Sequence, residues 1–237
     1  MVVTINREPS PIETYNDLNG DVVNFFKVLR DHTTDLITKL YLTPFSRQEY
    51  DEAWFNEHDD HLERARKFFV RMRQSFLATG SQNRKKGWLS ATRESRCRIS
   101  EATNKYLGSV EQLAQIVERL KMIQIENRDF QFIIERYDTP DTLFYVDPPY
   151  DPEKRSNGND YLHDFKKKDH FKLKELLAAV KGRFAVSGYD TDFMIDLYKD
   201  FYFIAGPKRK NNRSTRDVRE CLWTNYDPTK VNSNILF

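Results

Sequence analysis

Leu143-Phe144-Tyr145-Val146-Asp147-Pro148-Pro149-Tyr150 is the stretch on which the interpretation of this chain turns. Its first four residues are apolar or aromatic and predict a short strand buried on both faces. Asp147 then falls at the carboxyl end of that strand. Two prolines follow, and neither can donate a ladder hydrogen bond, so pairing stops there. A rigid turn leaving a sheet would need only an X-Pro-Pro segment. It would not need an acid before the prolines and an aromatic after them. From average residue usage, these four letters match by chance in a chain this long on the order of one time in a thousand.

The same grammar extends outward. Short strands are predicted at Ile12 to Tyr15, Met122 to Glu126 and Phe184 to Ser187. Two more, Phe201 to Ile204 and Glu220 to Asn225, close the chain, joined by a loop or a hairpin. Helical spacing occurs over Phe130 to Tyr137, Asp169 to Val180 and Asp192 to Tyr198. Nearer the start, Asn19 can cap a helix whose stripe is Val22, Phe25, Phe26 and Leu29. A second helix over Asp35 to Leu42 stops before Pro44. Leu62, Ala65, Phe68, Phe69, Met72 and Phe76 place a third over His61 to Phe76. Thr79 to Lys86 is polar and turn-rich, hence a loop, and Ser109-Val110-Glu111-Gln112 is a capping box opening a helix to Lys121.

Strands alternating with helices argue for an α/β protein with a doubly wound, mainly parallel sheet. Ligands of such sheets bind beyond the carboxyl ends of the strands. Asp17, Asp129, Asp147 and Ser187 all fall at or near such ends.

Composition narrows the class. The chain has 237 residues, 39 % hydrophobic and 14 % aromatic, ample for a packed core. No apolar run approaches the roughly 20 residues that span a bilayer, and the N-terminus has no h-region. Cys97 and Cys221 make neither a disulfide framework nor a metal cluster. A soluble, cytoplasmic protein without a membrane segment or a metal is expected.

A net charge of +2 hides an uneven distribution. Arg64, Arg66, Lys67, Arg71, Arg73, Arg84, Lys85, Lys86, Arg93, Arg96 and Arg98 are opposed only by Glu94. Lys208, Arg209, Lys210, Arg213, Arg216 and Arg219 form a second cluster, opposed only by Asp217 before Glu220. Either cluster alone is compatible with a solvated helix face. Together, with Phe68, Phe69, Phe76 and Trp88 interleaved and the Gln74 and Gln82 amides available to read bases, they point toward nucleic acid.

Asp147-Pro148-Pro149-Tyr150 suits the task of making an aromatic exocyclic amine nucleophilic. Such an amine delocalises its lone pair into the ring. If its two N–H groups donate to the Asp147 carboxylate and to the Pro148 carbonyl, the lone pair turns toward an electrophile. Pro148 has a fixed φ, which preorganises that carbonyl. Tyr150 offers a flat face worth about 1–3 kcal/mol in base stacking, and a hydrogen bond to a charged carboxylate contributes roughly 1.5–3 kcal/mol.

On these residues the chain resembles the Dam-type (DPPY) adenine-N6 DNA methyltransferases. The resemblance runs through Tyr15 to Asp21 followed by Val22 to His32, Ile125 to Asp129, Asp141 to Tyr150, Ser187 to Asp190, and Arg219 to Trp223, in the family's order. It implies a Rossmann-like methyltransferase sheet, S-adenosylmethionine as methyl donor, and an adenine flipped out of duplex DNA. It further implies that Asp147, Pro148, Pro149 and Tyr150 are catalytic and that Asp17, Asp129, Phe130 and Asp147 meet the cofactor. Residues 33–108 correspond to a helical target-recognition insertion within a catalytic domain made of 1–32 and 109–226, followed by a tail at 227–237. Arg71, Arg73, Gln74, Arg84, Lys85, Lys86, Tyr161, Asn212, Arg213 and Arg216 are the expected DNA contacts. Asp17 as a simple turn or cap residue is the plain alternative at that position.

The family also carries a Gly-Gly-Lys segment and a first strand ending in a Phe-x-Gly-x-Gly loop ahead of the Asp17 strand. Neither pattern occurs here, and Val2 to Pro9 resembles the stretch that follows that loop. The sheet is therefore expected to be incomplete at its N-terminal side, with weak or no cofactor binding. Two functions follow from this pattern. One is a site-specific adenine methyltransferase of the restriction-modification type; the other is a catalytically silent DNA-binding remnant of one.

Overall fold

A computed structural model describes residues 8–55, 60–76, 85, 87–95, 98–149, 165–210 and 217–230. The chain divides into two units, Met1–Asn127 and Arg128–Phe237.

In the first unit β1 (Glu13–Asn16) lies parallel to β2 (Ile123–Glu126), in register from Glu13↔Ile123 to Asn16↔Glu126. Helices make up the rest. Asn19 caps α1 (Gly20–Asp31) by accepting from the Asp21 N–H, as its position predicts. After it come α2 (Thr33–Leu42), α3 (Arg47–Glu52) and α4 (His61–Gln74). Then α5 (Glu101–Glu111) and α6 (Leu113–Leu120) lead into β2. Leu29, Leu36, Leu40, Phe68, Phe69 and Tyr106 centre a core to which α1, α2, α4 and α5 each contribute.

Two details differ from expectation. Ser109 does not open a helix: it lies inside α5 and donates its hydroxyl back to the Lys105 carbonyl. The cap is Ser100, which accepts from the Thr103 N–H, because the buried stripe of Ala102, Tyr106 and Val110 begins two turns upstream of Ser109 and runs past it. The short α3 was not anticipated, although Ser46 caps it by accepting from the Glu49 N–H at 3.1 Å.

The second unit carries α7 (Phe130–Tyr137), β3 (Leu143–Val146), α8 (Lys167–Ala178), β4 (Arg183–Tyr189), α9 (Asp192–Leu197), β5 (Tyr202–Lys210) and β6 (Asp217–Thr224). Its sheet has the order β3-β4-β6-β5. β3 and β4 are parallel, joined by a connection that contains α8; β6 runs antiparallel to both β4 and β5. The sheet is thus mixed rather than mainly parallel. The register Lys210↔Asp217 leaves too short a link for a parallel crossover, which needs a dozen residues or more. β5 and β6 also run farther along that hairpin than their apolar stretches suggested.

Phe184 and Val186 of β4, Leu173 and Leu177 of α8, Met194 of α9 and Trp223 of β6 form the core of this unit. Cys221 is buried beside them, and burial pushes its thiol up. Among the described residues, β1 pairs only with β2 and β3 only with β4. No described helix is long and apolar enough to cross a membrane.

Candidate active site

The β3 strand ends where the sequence predicts, and Asp147 emerges from it exposed, with Pro148 buried directly behind. Parallel pairing of Val146 with Val186 brings the next residue of β4, Ser187, alongside. The Ser187 hydroxyl donates to Asp147 Oδ1 at 2.6 Å, a short charge-assisted bond; its distance to the Val146 carbonyl is 3.3 Å. Ser187 was expected near a strand end. It lies inside β4 instead, because pairing with β6 carries the strand on to Tyr189.

Gly188 is closely packed there. A Cβ on it would come 2.9 Å from Met194 Cε and 3.2 Å from Trp223 Cζ3. Tyr145, two residues before Asp147 and on the same face of β3, is half exposed. Partial burial raises its phenol, the negative charges of Asp147 and Glu220 add to that, and a hydrogen bond with Ser187 acts in the opposite direction. Tyr150, the last residue of the motif, lies outside the described residues.

Asp17, in the other unit, sits just past β1 in a tight turn. Its Oδ2 accepts from the Tyr15 hydroxyl at 2.9 Å and its Oδ1 from the Asn19 N–H at 2.8 Å. Its carbonyl accepts from Asn127 Nδ2 at 2.6 Å. Asp129 caps α7, accepting from the Gln131 N–H at 2.9 Å, and Phe130 opens that helix. Phe130 packs 5.6 Å from Phe165, and Lys172 Nζ lies over its ring. Each of these acids thus has a local structural task, whatever else it does.

The family model for D12 class N6 adenine-specific DNA methyltransferases matches residues 6–212, most of the chain. The chain belongs to this family. No curated protein matches it. Its activity is accordingly adenine-N6 methylation of DNA, with S-adenosylmethionine as the methyl donor.

Each unit, taken by itself, carries acceptors of the kind a ribose or an amine takes: a carboxylate has about four lone-pair sites, so Asp17 in the first unit and Asp129 in the second keep capacity beyond their turn contacts. In the second unit Phe130 adds an apolar ring next to Asp129. Among the described residues no glycine has a positive φ, so no glycine-rich cradle for the methionine end is found there. No described group of acids, histidines or cysteines is arranged to hold a metal.

The basic helix of this methyltransferase divides sharply. Arg71, expected on the DNA, is buried: its Nη2 pairs with Asp21 Oδ2 at 2.6 Å, and its Nη1 donates to the Ala53 carbonyl. Arg64 Nη2 reaches Asp21 Oδ1 at 3.0 Å. Gln74, expected to read bases, is fully buried; its amide donates to the Pro44 carbonyl and accepts from Trp88 Nε1. These two expectations are corrected, because the polar atoms in question are already committed inside the helical core. Phe68 and Phe69, read as interleaved with the basic patch, are core residues.

Arg66 joins Glu63 and Glu49, with Lys39 also on Glu63, beside an open cavity of about 370 Å³ lined in part by Thr43 and Pro44. Burial alone would raise the Glu63 carboxyl, but its bonds to Arg66 and Lys39 outweigh that and lower it to about 2.

Arg73 is different. It is exposed, its guanidinium lies 5.7 Å over the Phe69 ring, and it has no ion-pair partner among the described residues. Lys85 is exposed and reaches Asp51 at 2.8 Å. Arg84, Lys86, Tyr161, Asn212, Arg213 and Arg216 lie outside the described residues. Sequence reasoning missed the role of Asp21; its place in the first turn of a helix could have marked it only as an N-terminal acid.

Proposed function

We propose that Asp147 receives the exocyclic amine of a flipped adenine, with the Pro148 carbonyl as second acceptor and Tyr150 as the stacking face. The observation that carries this is the exposed Asp147 carboxylate at the carboxyl end of β3, hydrogen-bonded at Oδ1 by Ser187 and with no donor on Oδ2 among the described residues. Two N–H bonds accepted in one plane draw the amine lone pair out of conjugation and aim it. Bound S-adenosylmethionine supplies an electrophilic methyl group on a sulfonium. The proton shed as the amine becomes secondary passes to Asp147, which is open to water. These are positioning and electrostatic effects and need no covalent intermediate.

Extruding the base costs a few kcal/mol. Stacking on Tyr150 and cationic contacts to phosphates offset it. Arg73 and Lys85 belong to that interface, together with Arg84, Lys86, Tyr161, Asn212, Arg213 and Arg216; Arg71 and Gln74 do not. Residues 33–108 are the target-recognition insertion in this scheme, with 1–32 and 109–226 as the catalytic domain. Asp17 is proposed as a cofactor contact in its own unit, and Asp129, Phe130 and Asp147 in theirs. A Rossmann-like sheet is proposed for the catalytic domain; the parallel β3–β4 pair with α8 in its connection, and the parallel β1–β2 pair, support that reading. Such an enzyme works in the cytoplasm on duplex DNA, and a restriction-modification role suits a site-specific member.

Expression in a host lacking adenine methylation tests this function. N6-methyladenine in one short sequence context of the host DNA is the expected result. DNA left free of it while the folded chain accumulates would reject the proposal.

A further inference from the structure

Asp147 projects from the tip of a strand into solvent, where an aspartate with nothing to hold it samples several rotamers. Among the described residues its carboxylate has one hydrogen-bond donor, Ser187. Ser187 itself has little freedom. It is buried in the middle of β4, flanked by β3 on one side and paired with Leu222 of β6 on the other. The residue after it is Gly188, pressed against Met194 and Trp223. A hydroxyl carries a single proton: the Tyr145 phenol, which also hydrogen-bonds Ser187, has a proton of its own to donate, and the 2.6 Å distance to Oδ1 against 3.3 Å to the Val146 carbonyl sends the Ser187 proton to Asp147.

We infer that Ser187 is a positioning residue for methyl transfer: its hydroxyl holds Oδ1 of Asp147 and so presents Oδ2 to the adenine amine. This rests on Asp147 being the acceptor of that amine. A rigid strand interior thereby fixes the χ1 of an exposed side chain one strand away. Without the bond the carboxylate is still present and still charged, but the fraction of time it points at the amine falls. A misplacement on the ångström scale at a reacting group costs up to about 100-fold in rate.

Three variants of the full chain separate this from a packing role. Ser187→Ala removes the donor, Ser187→Cys keeps the size with only a weak donor, and Ser187→Thr keeps the hydroxyl. Two measurements are made on each. The first is the Asp147 χ1 distribution, from side-chain couplings in aspartate-labelled protein. The second is tritium transfer from labelled S-adenosylmethionine to unmethylated plasmid DNA, with kcat and the KM for DNA taken separately.

A single Asp147 rotamer in the parent, averaging in Ser187→Ala and Ser187→Cys, and restoration in Ser187→Thr are expected. kcat falls about 10–100-fold in the first two with KM for DNA unchanged, and recovers in the third. One unchanged rotamer in folded Ser187→Ala would overturn the inference. So would full kcat in Ser187→Ala when Asp147→Ala has none. If Asp147→Ala itself transfers methyl groups, the role of Asp147 fails, and the rotamer measurement still decides whether Ser187 holds it.

Discussion

Asp21 and Asp147 are both acids close to the carboxyl end of a parallel strand, and their surroundings are opposite. Asp21 is filled from within: Arg64 takes one oxygen and Arg71 the other, and Arg71 is buried against Trp54 and Phe68. Asp147 is exposed and, among the described residues, has a single donor. A new partner at Asp21 would leave a buried guanidinium without its counter-charge, whereas one at Asp147 breaks no ion pair among the described residues. The same contrast separates Arg71 from Arg73, two residues apart on α4, one facing inward to Asp21 and the other exposed, with no anion partner among the described residues. Charge identity therefore says little about role in this chain; what matters is whether the fold has already used the charge.

The sharpest way to break the contrast is to remove each acid in turn. Asp21→Ala strands Arg71 in the interior and is expected to cost about 3–5 kcal/mol. That would lower the melting temperature by about 10 °C in calorimetry. Asp147→Ala, on an exposed side chain, is expected to change stability by less than about 0.5 kcal/mol. Equal melting shifts in the two variants would erase the distinction.

A smaller effect is expected along α4. Arg73→Ala should weaken DNA binding several-fold and reduce the slope of log affinity against log salt by about 0.9, the value for one phosphate contact. Lys85→Ala should do the same. Arg71→Ala should act through stability instead. A salt slope that ignores Arg73 and responds to Arg71 in a fully folded variant would reverse the assignment.

The smallest effect concerns pH. Glu63 is held at about 2 in the folded protein, below its ordinary 4.5. A depressed folded value means that its charge stabilises the fold above pH 4.5, and that this contribution drains away as pH falls toward 2. The stability difference between the parent and Glu63→Gln should be flat above about pH 5 and shrink below pH 4.5. A difference that stays constant down to pH 2.5 would show that the Arg66 and Lys39 contacts do not hold that proton off.

Much of this was legible before the coordinates. The strand end at Val146, a first strand whose observed end at Asn16 lies one residue past the expected Tyr15, the Asn19 cap, and the helices over α2, α4, α7 and α9 follow from local spacing and capping, which a sequence carries directly. The family match bears out the resemblance first carried by Asp147 to Tyr150 and its ordered companions. What escaped is non-local. Ser109 has the letters of a cap, yet the apolar stripe of Ala102, Tyr106 and Val110 overrides them. Nothing in the neighbourhood of Arg71 or Gln74 reveals that Asp21, fifty residues earlier, and Pro44 absorb their donors. The Ser187–Asp147 bond spans forty positions and depends on a β3–β4 register that only the folded sheet defines.

The role of Asp147 is tested most directly by transfer of a tritium-labelled methyl group from S-adenosylmethionine to adenine in DNA, measured for the parent chain and Asp147→Ala alongside their DNA affinities. A loss of at least about 10²–10³-fold in transfer is expected for Asp147→Ala, with affinity nearly unchanged. Labelled N6-methyladenine formed at the parental rate by Asp147→Ala would contradict it.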